Sequence, residues 1–250
     1  MYMVTLNSII TDYDGFLKIW DDISVEEIKI NENNESEHIE YIDHLFKIFS
    51  EKNKKYYEKS YQIIIHIIKN ISVWSIPDVC FKVNDLLQQN IRSQMEYGYK
   101  IMNYIVNNYE SQIKITMPKL IPIVANDVNN VNPNVKKEAN NVLEKFLGCS
   151  GNNDLSIFIP SVLIGLKDTT TIEKSVEDLA SCVFVQNVEA PALSIITPIL
   201  LRALNDKKTA TKRKACIIID NMCKLIEHPK EILPFYKQLR DKLEICNETI

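Results

Sequence analysis

Apolar residues recur at helical spacing along nearly the whole chain. From Ala215 onward they fall at Ala215, Ile218, Ile219, Met222, Leu225 and Ile226, a stripe with the 3.6-residue period of one helix face. Period-two alternation is confined to brief pieces such as SVEEIKI, which begins at Ser24. The pattern predicts an all-α fold. Prolines divide it further. Pro77, Pro122, Pro160 and Pro198 are separated by 45, 38 and 38 residues. Two, three and six positions beyond each stand the apolar triplets Val79/Cys80/Val83, Val124/Ala125/Val128, Val162/Leu163/Leu166 and Leu200/Leu201/Leu204. Eight positions beyond each stands Asp85, Asn130, Asp168 or Asp206. Each unit therefore reads as a first helix with proline in its early turns, then a turn carrying Asp or Asn, then a second helix with a basic head. Proline is tolerated near a helix start because the first N–H groups lack partners anyway. Asp and Asn suit the turn because they bond locally to backbone.

A period of about 40 residues with two helices per unit is the signature of HEAT-type repeats. The expected architecture is an α-solenoid of about five antiparallel helix pairs, because one pair cannot bury its apolar face alone. Two second-helix starts are legible: Asn132 as cap with Pro133 just inside, and a capping box from Thr170 to Glu173. Upstream the period blurs. EHIEYIDHLFKIFSEK and KKYYEKSYQIIIHIIKN read as one more pair without proline, and NENNESE, residues 31–37, as a polar linker. Phe16, Leu17 and Trp20 offer the apolar face of a helix within residues 1–30. The expected organisation is an acidic helix and linker over 1–37, then a repeat array over 38–250 that is clear from about residue 74. The last segment, KEILPFYKQLRDKLEIC, gives a first helix with no second, so the array is expected to stop mid-repeat.

Composition narrows the function. Five glycines in 250 residues disfavour phosphate-cradling loops, and no G-x-x-x-x-G-K-[ST], G-x-G-x-x-G or H-E-x-x-H occurs. The four histidines, His38, His44, His66 and His228, are dispersed, so no metal site is expected, and His66 reads as a core or rim residue. GCSGNND, residues 148–154, reads as a helix C-cap and loop. No nucleophile–base set or carboxylate pair stands out, so neither enzyme activity nor a cofactor is expected. The six cysteines contain no C-x-x-C pair, and Cys216 and Cys223, seven apart on one helix face, read as core packing in a reducing compartment. No export signal opens the chain and no run approaches the roughly eighteen apolar residues of a membrane span. A cytoplasmic protein is expected. The net charge of −4 is uneven: residues 1–51 hold twelve acidic and three basic residues, a net of −9, which leaves +5 on the rest. Such a split points to interaction surfaces.

The strongest local charge is a block of five cations in eight positions: Lys207, Lys208, Lys212, Arg213 and Lys214. It stands where a helix begins, although a helix N-terminus already carries about half a positive charge. Side-chain charge, exposed N–H donors and dipole all favour phosphate there. Lys136, Lys137 and Lys174 occupy the corresponding heads of earlier second helices. These eight residues are the candidate contacts to RNA backbone or to a partner, and the alternative is a solvated, lysine-rich turn. Aromatics are not interleaved with the charges, so stacking on single-stranded bases is not indicated.

The segments MPKLIPIVANDV, FIPSVLIGLKD and EAPALSIITPILLRALNDKKTATKRKACIIIDNMCKLIEHPKEILPF carry a closer likeness. They resemble the N-terminal HEAT domain of the fungal-type translation elongation factor three family, with a similar region in the general-control translational activator. The likeness covers about residues 74–250 and is strongest from Glu189 to Phe235. It implies a cytosolic, ribosome-facing HEAT module whose partner is the ribosome (its RNA backbone and proteins) or a translation factor. The family's two ATP-binding cassettes have no counterpart in these residues. A separately encoded ATP-binding cassette protein is therefore a further implied partner, while membrane and DNA are not. The alternative is a general protein–protein scaffold with no ribosomal role.

Overall fold

The computed structural model of the chain describes residues 24–50 and 54–247. The helix expected around Phe16, Leu17 and Trp20 lies outside these residues. The described residues form thirteen α-helices, two of them single turns, and no strand. SVEEIKI is a 3-10 turn at Val25–Glu27 rather than a strand. The carbonyl of Ile28, just after that turn, lies 2.9 Å from the His66 ring, so the piece is held by a side chain rather than by a ladder.

The chain divides into two compact units, residues 1–105 and 106–250. Unit 1 contains α1 (Glu35–Ile48), α2 (Tyr57–Asn70), α3 (Ile76–Gln88) and most of α4 (Arg92–Asn108). The first two are the proline-free pair expected from the sequence. Their apolar stripes close over Ile42, Leu45, Ile63, Ile64, Ile67 and Ile68, all at most 2% exposed. Phe49, fully buried just beyond α1, stacks on Tyr97 with ring centres 4.6 Å apart and meets Tyr57 edge-on at 5.8 Å. Lys100 covers Tyr97 from 4.3 Å, and such cation–aromatic contacts add to the apolar burial. Asp43 on α1 pairs with Lys82 on α3.

Unit 2 contains α5 (Met117–Asp127), α6 (Pro133–Gly148), α7 (Ile159–Lys167), α8 (Ile172–Ala180), α9 (Ala190–Leu204), α10 (Thr209–Cys223) and α11 (Leu233–Asn247). First helices lie against first helices, α9 on α5 and α7 and α11 on α9. Each second helix lies on its own first helix, and α10 also lies on α8. This is the HEAT-type stacking expected from the period. Gly165 allows α7 and α8 to approach closely, since a β-carbon there would stand 2.5 Å from the Ser175 hydroxyl and 2.9 Å from its β-carbon.

The proline register needs correction. Pro77 and Pro160 do stand in the first turn of α3 and α7, but Pro122 and Pro198 lie inside α5 and α9. There the first-turn prolines are Pro118 and Pro191, and the helix extends through the later proline at the loss of one backbone bond. Asp85 likewise lies within α3, exposed, and the turn residue of that pair is Asn90, at φ 56°. Asn tolerates the left-handed region because its short amide can bond locally; here it donates to the Gln88 carbonyl at 3.2 Å. Counted on turn residues, the intervals from Asn90 to Asn130, Asp168 and Asp206 become 40, 38 and 38. Ten of the twelve triplet residues are buried, with Leu163 and Leu201 half-buried.

Candidate functional site

The turns between the paired helices of unit 2 are built alike. The Asn130 side chain accepts from the Asn132 N–H at 3.0 Å, that of Asp168 from Thr170 at 2.8 Å, and that of Asp206 from Lys208 at 2.8 Å. Each is an Asx turn that delivers the chain into its second helix. Asn132 caps α6 as expected, accepting from the Asn134 N–H at 3.0 Å with Pro133 as the first helical residue. The capping box at Thr170 and Glu173 does not form. Asp168 takes the Thr170 N–H and hydroxyl, and a 3-10 turn at Thr169–Thr171 precedes α8. A carboxylate two residues earlier is the stronger acceptor. These two bonds hold the Asp168 carboxyl below its ordinary range.

These turns are fastened to one another. Asn129 donates to the Lys167 carbonyl at 2.8 Å, joining the first turn to the second. Lys208 and Lys214 pair with Glu173 and Glu177 on α8, each at 2.5 Å, joining the second to the third. The edge so formed carries all eight candidate residues. Lys136 and Lys137 are exposed on the head of α6 and Lys174 on that of α8. Lys207 stands exposed in the last turn, and Lys212 and Arg213 lie in the first turns of α10. The five-residue block is thus divided in role. Lys208 and Lys214 bind one repeat to the next, and the carboxylate of Glu173 holds the Lys208 ammonium above its ordinary range. Lys207 and Arg213 remain exposed with no ion-pair partner among the described residues.

Sequence reasoning gave Glu173 the role of a capping-box residue instead of an ion-pair partner, and missed Glu177 and, above all, Arg202. The Arg202 guanidinium, on α9, donates to the carbonyls of Gly165 and Leu166 at 3.1 and 2.9 Å, and to that of Ala125 at 3.4 Å. It therefore caps the ends of α7 and α5 together, where the helix dipoles are negative. Burial pushes its pKa down, but it keeps its charge. A signal for these contacts existed: polar partners one repeat apart. Asp43–Lys82, Asn129–Lys167, Glu177–Lys214 and Asn205–Lys242 are separated by 39, 38, 37 and 37 residues.

Elsewhere the polar side chains serve the fold. His38 bonds the Asn34 carbonyl at 2.7 Å and His66 that of Ile28 at 2.9 Å, both through ring nitrogens. Gly148 ends α6, and the left-handed turn in GCSGNND is taken by Gly151 at φ 70°. Burial pushes the Cys149 and Cys182 thiols up to about 11, so both stay protonated. Cys216 and Cys223 do share a helix face, but not in the core: one is half-buried and the other exposed. The buried stripe of α10 runs through Thr211, Ala215, Ile218, Ile219 and Met222, about one position short of both cysteines. Among the described residues no helix is long and apolar enough to cross a membrane.

Comparison with known proteins bears on the fold and the family resemblance. Residues 170–250, which begin within the second turn and include the third, match the family model described as the Elongation factor 3/GNC1 HEAT repeat. Elongation factor 3 of Pneumocystis carinii is 30% identical over 185 residues, 74% of this chain and 18% of that protein. Elongation factor 3A of Saccharomyces cerevisiae is 36% identical over 146 residues, 58% of this chain and 14% of that protein. Elongation factor 3 of Phytophthora infestans is 40% identical over 138 residues, 55% of this chain and 13% of that protein. The chain thus spans less than a fifth of the length of these relatives. Residues 170–250 thus match the Elongation factor 3/GNC1 HEAT repeat, and the chain as a whole is similar to one part of elongation factor 3.

Proposed function

We propose that this chain is a non-enzymatic HEAT module of translation, cytoplasmic, that binds the ribosome through the turn edge of unit 2. The observation that carries the reading is the row of exposed cations Lys136, Lys137, Lys174, Lys207 and Arg213, held at helix heads by turns fastened to each other. A positioned cation beside exposed helix N–H groups suits the phosphates of ribosomal RNA and reads no sequence. Lys208 and Lys214 hold that edge together and contribute charge from within ion pairs. A translation factor, or a separately encoded ATP-binding cassette protein, would then meet the assembled complex on other faces of the module.

The test is co-sedimentation of the purified chain with ribosomes over a salt series. The informative variant reverses Lys174, Lys207 and Arg213 to Glu and leaves Lys208 and Lys214 in place, so the repeat contacts survive. Binding that falls steeply with salt, and is lost in the variant at unchanged melting temperature, is expected. Failure of the folded wild type to bind at low salt, or binding indifferent to salt and to the variant, would overturn the reading and favour a protein–protein scaffold.

A further inference from the structure

The turns of unit 2 are joined in two different ways. A neutral amide joins the first turn to the second, Asn129 donating to the Lys167 carbonyl. Carboxylates join the second to the third, Glu173 on Lys208 and Glu177 on Lys214. A neutral bond therefore suffices to fasten neighbouring turns. The charged joint stands where cations are densest: Lys174, Lys207, Lys208, Lys212, Arg213 and Lys214 all lie on the heads of α8 and α10 or in the third turn. Two other acids in this region, Asp168 and Asp206, are occupied by N–H groups of their own turns. Glu173 and Glu177, one helical turn apart on α8, reach instead to the head of α10.

Both pairs are open to solvent, with the glutamate side chains 46% and 52% exposed. Exposed pairs of this kind add little to stability. They do change the local field. Each carboxylate cancels an ammonium at contact distance, so a phosphate approaching Lys208 or Lys214 meets a negative charge beside it. Two kinds of polyanion respond differently. A flexible one gathers its charges at any dense positive cluster, and its affinity follows the local net charge. A folded RNA holds its phosphates at fixed places. It can meet the exposed Lys136, Lys137, Lys174, Lys207 and Arg213 and pass over the carboxylates. The acids therefore penalise the flexible chain more, and a built-in repulsive element of this sort is a general source of specificity.

We propose that Glu173 and Glu177 are specificity-determining residues of the turn edge: by holding Lys208 and Lys214 in ion pairs, they favour the fixed phosphates of folded RNA over flexible polyanions. This rests on the reading of that edge as a phosphate-binding surface and adds which class of RNA it accepts.

The test compares the full chain with a double variant, Glu173→Gln with Glu177→Gln, whose amides keep the side-chain shape and can still accept from the lysines. Asp220→Asn is the control, since it takes the same charge from Lys224 at the far end of α10. Anisotropy is read over a salt series with labelled polyuridylate and with a labelled, fully paired RNA hairpin. At about 0.1 M salt the double variant should bind polyuridylate about tenfold tighter, and the log–log salt slope should steepen by about 1.4, as two freed cations contribute about 0.7 each. Its affinity for the hairpin should rise less than about threefold, so the preference for folded RNA falls. Asp220→Asn should move neither affinity by more than about twofold. Melting temperatures establish that each variant is folded. Unchanged or weaker polyuridylate binding by the folded double variant would overturn the proposal and leave the acids as fasteners. An equal rise for both RNAs would also overturn it, and an equal gain from Asp220→Asn would do so in favour of net charge. Absence of binding to either RNA by either chain at low salt would overturn it together with the reading of the edge. The expected shifts without co-sedimentation with ribosomes would remove the ribosomal reading and leave this inference standing.

Discussion

Between α3 and α4 in unit 1 the chain turns on Asn90, whose backbone is left-handed at φ 56°. Between the paired helices of unit 2 it turns on Asn130, Asp168 and Asp206, whose side chains accept from the N–H two residues on. The first device reverses the chain and little else. The second also presents the head of a second helix with its cations facing outward. What holds the helices differs as well. Unit 1 gathers aromatic rings around Phe49 and Tyr97, whereas unit 2 clamps two helix ends with one guanidinium. A ring cluster fills volume without fixing the chain's polar ends. The clamp and the turns fix those ends, which is what the proposed ribosome-facing edge requires.

Substitutions can break this comparison one term at a time. The largest effect is expected from Phe49→Ala, about 3–5 kcal/mol, because a fully buried ring leaves a cavity bounded by other rings. Hydrogen exchange should show protection lost first over α1, α2 and α4. Arg202→Met comes next, at about 2–3 kcal/mol, since it removes charged donors from the carbonyls of Gly165, Leu166 and Ala125. Arg202→Lys should recover only part of the loss in chemical denaturation, because an ammonium cannot reproduce the planar fork. Gly165→Ala should cost about 1–3 kcal/mol, as α7 must retreat from Ser175, and a lower melting temperature would report it. Asn132→Ala removes a helix cap and should cost about 1 kcal/mol, read from denaturation midpoints.

The smallest effect depends on pH. Asp168 is held below its ordinary pKa by the Thr170 N–H and hydroxyl. Its contribution is therefore present above the usual carboxylate range and is lost as pH falls through the depressed value. Asp168→Asn should flatten the acid limb of the melting profile and leave neutral pH almost unchanged. An acid limb identical to wild type would mean that the turn does not depend on that charge.

The sequence by itself determined the helices, their pairing and the period. Apolar spacing and the Asp/Asn turns follow from local chemistry, and residues such as Asn132 cap the helix they are seen to precede. The likeness of residues 189–235 to elongation factor three was likewise legible before any coordinates, and the match over 170–250 agrees with it. The proline register misled because proline marks a helix start only when the chain has not already begun one; Pro122 and Pro198 are overridden by the packing around them. Tertiary structure alone decided which cations are shared. Lys208 and Lys214 are cations of the same block as Lys207 and Arg213, and only the placement of α10 on α8 brings Glu173 and Glu177 to the first pair. The same holds for Arg202, an ordinary residue on an apolar helix until α5 and α7 end beside it. A charge's role depends on what comes within about 4 Å of it, and over one repeat period that distance is fixed by helix packing rather than by sequence.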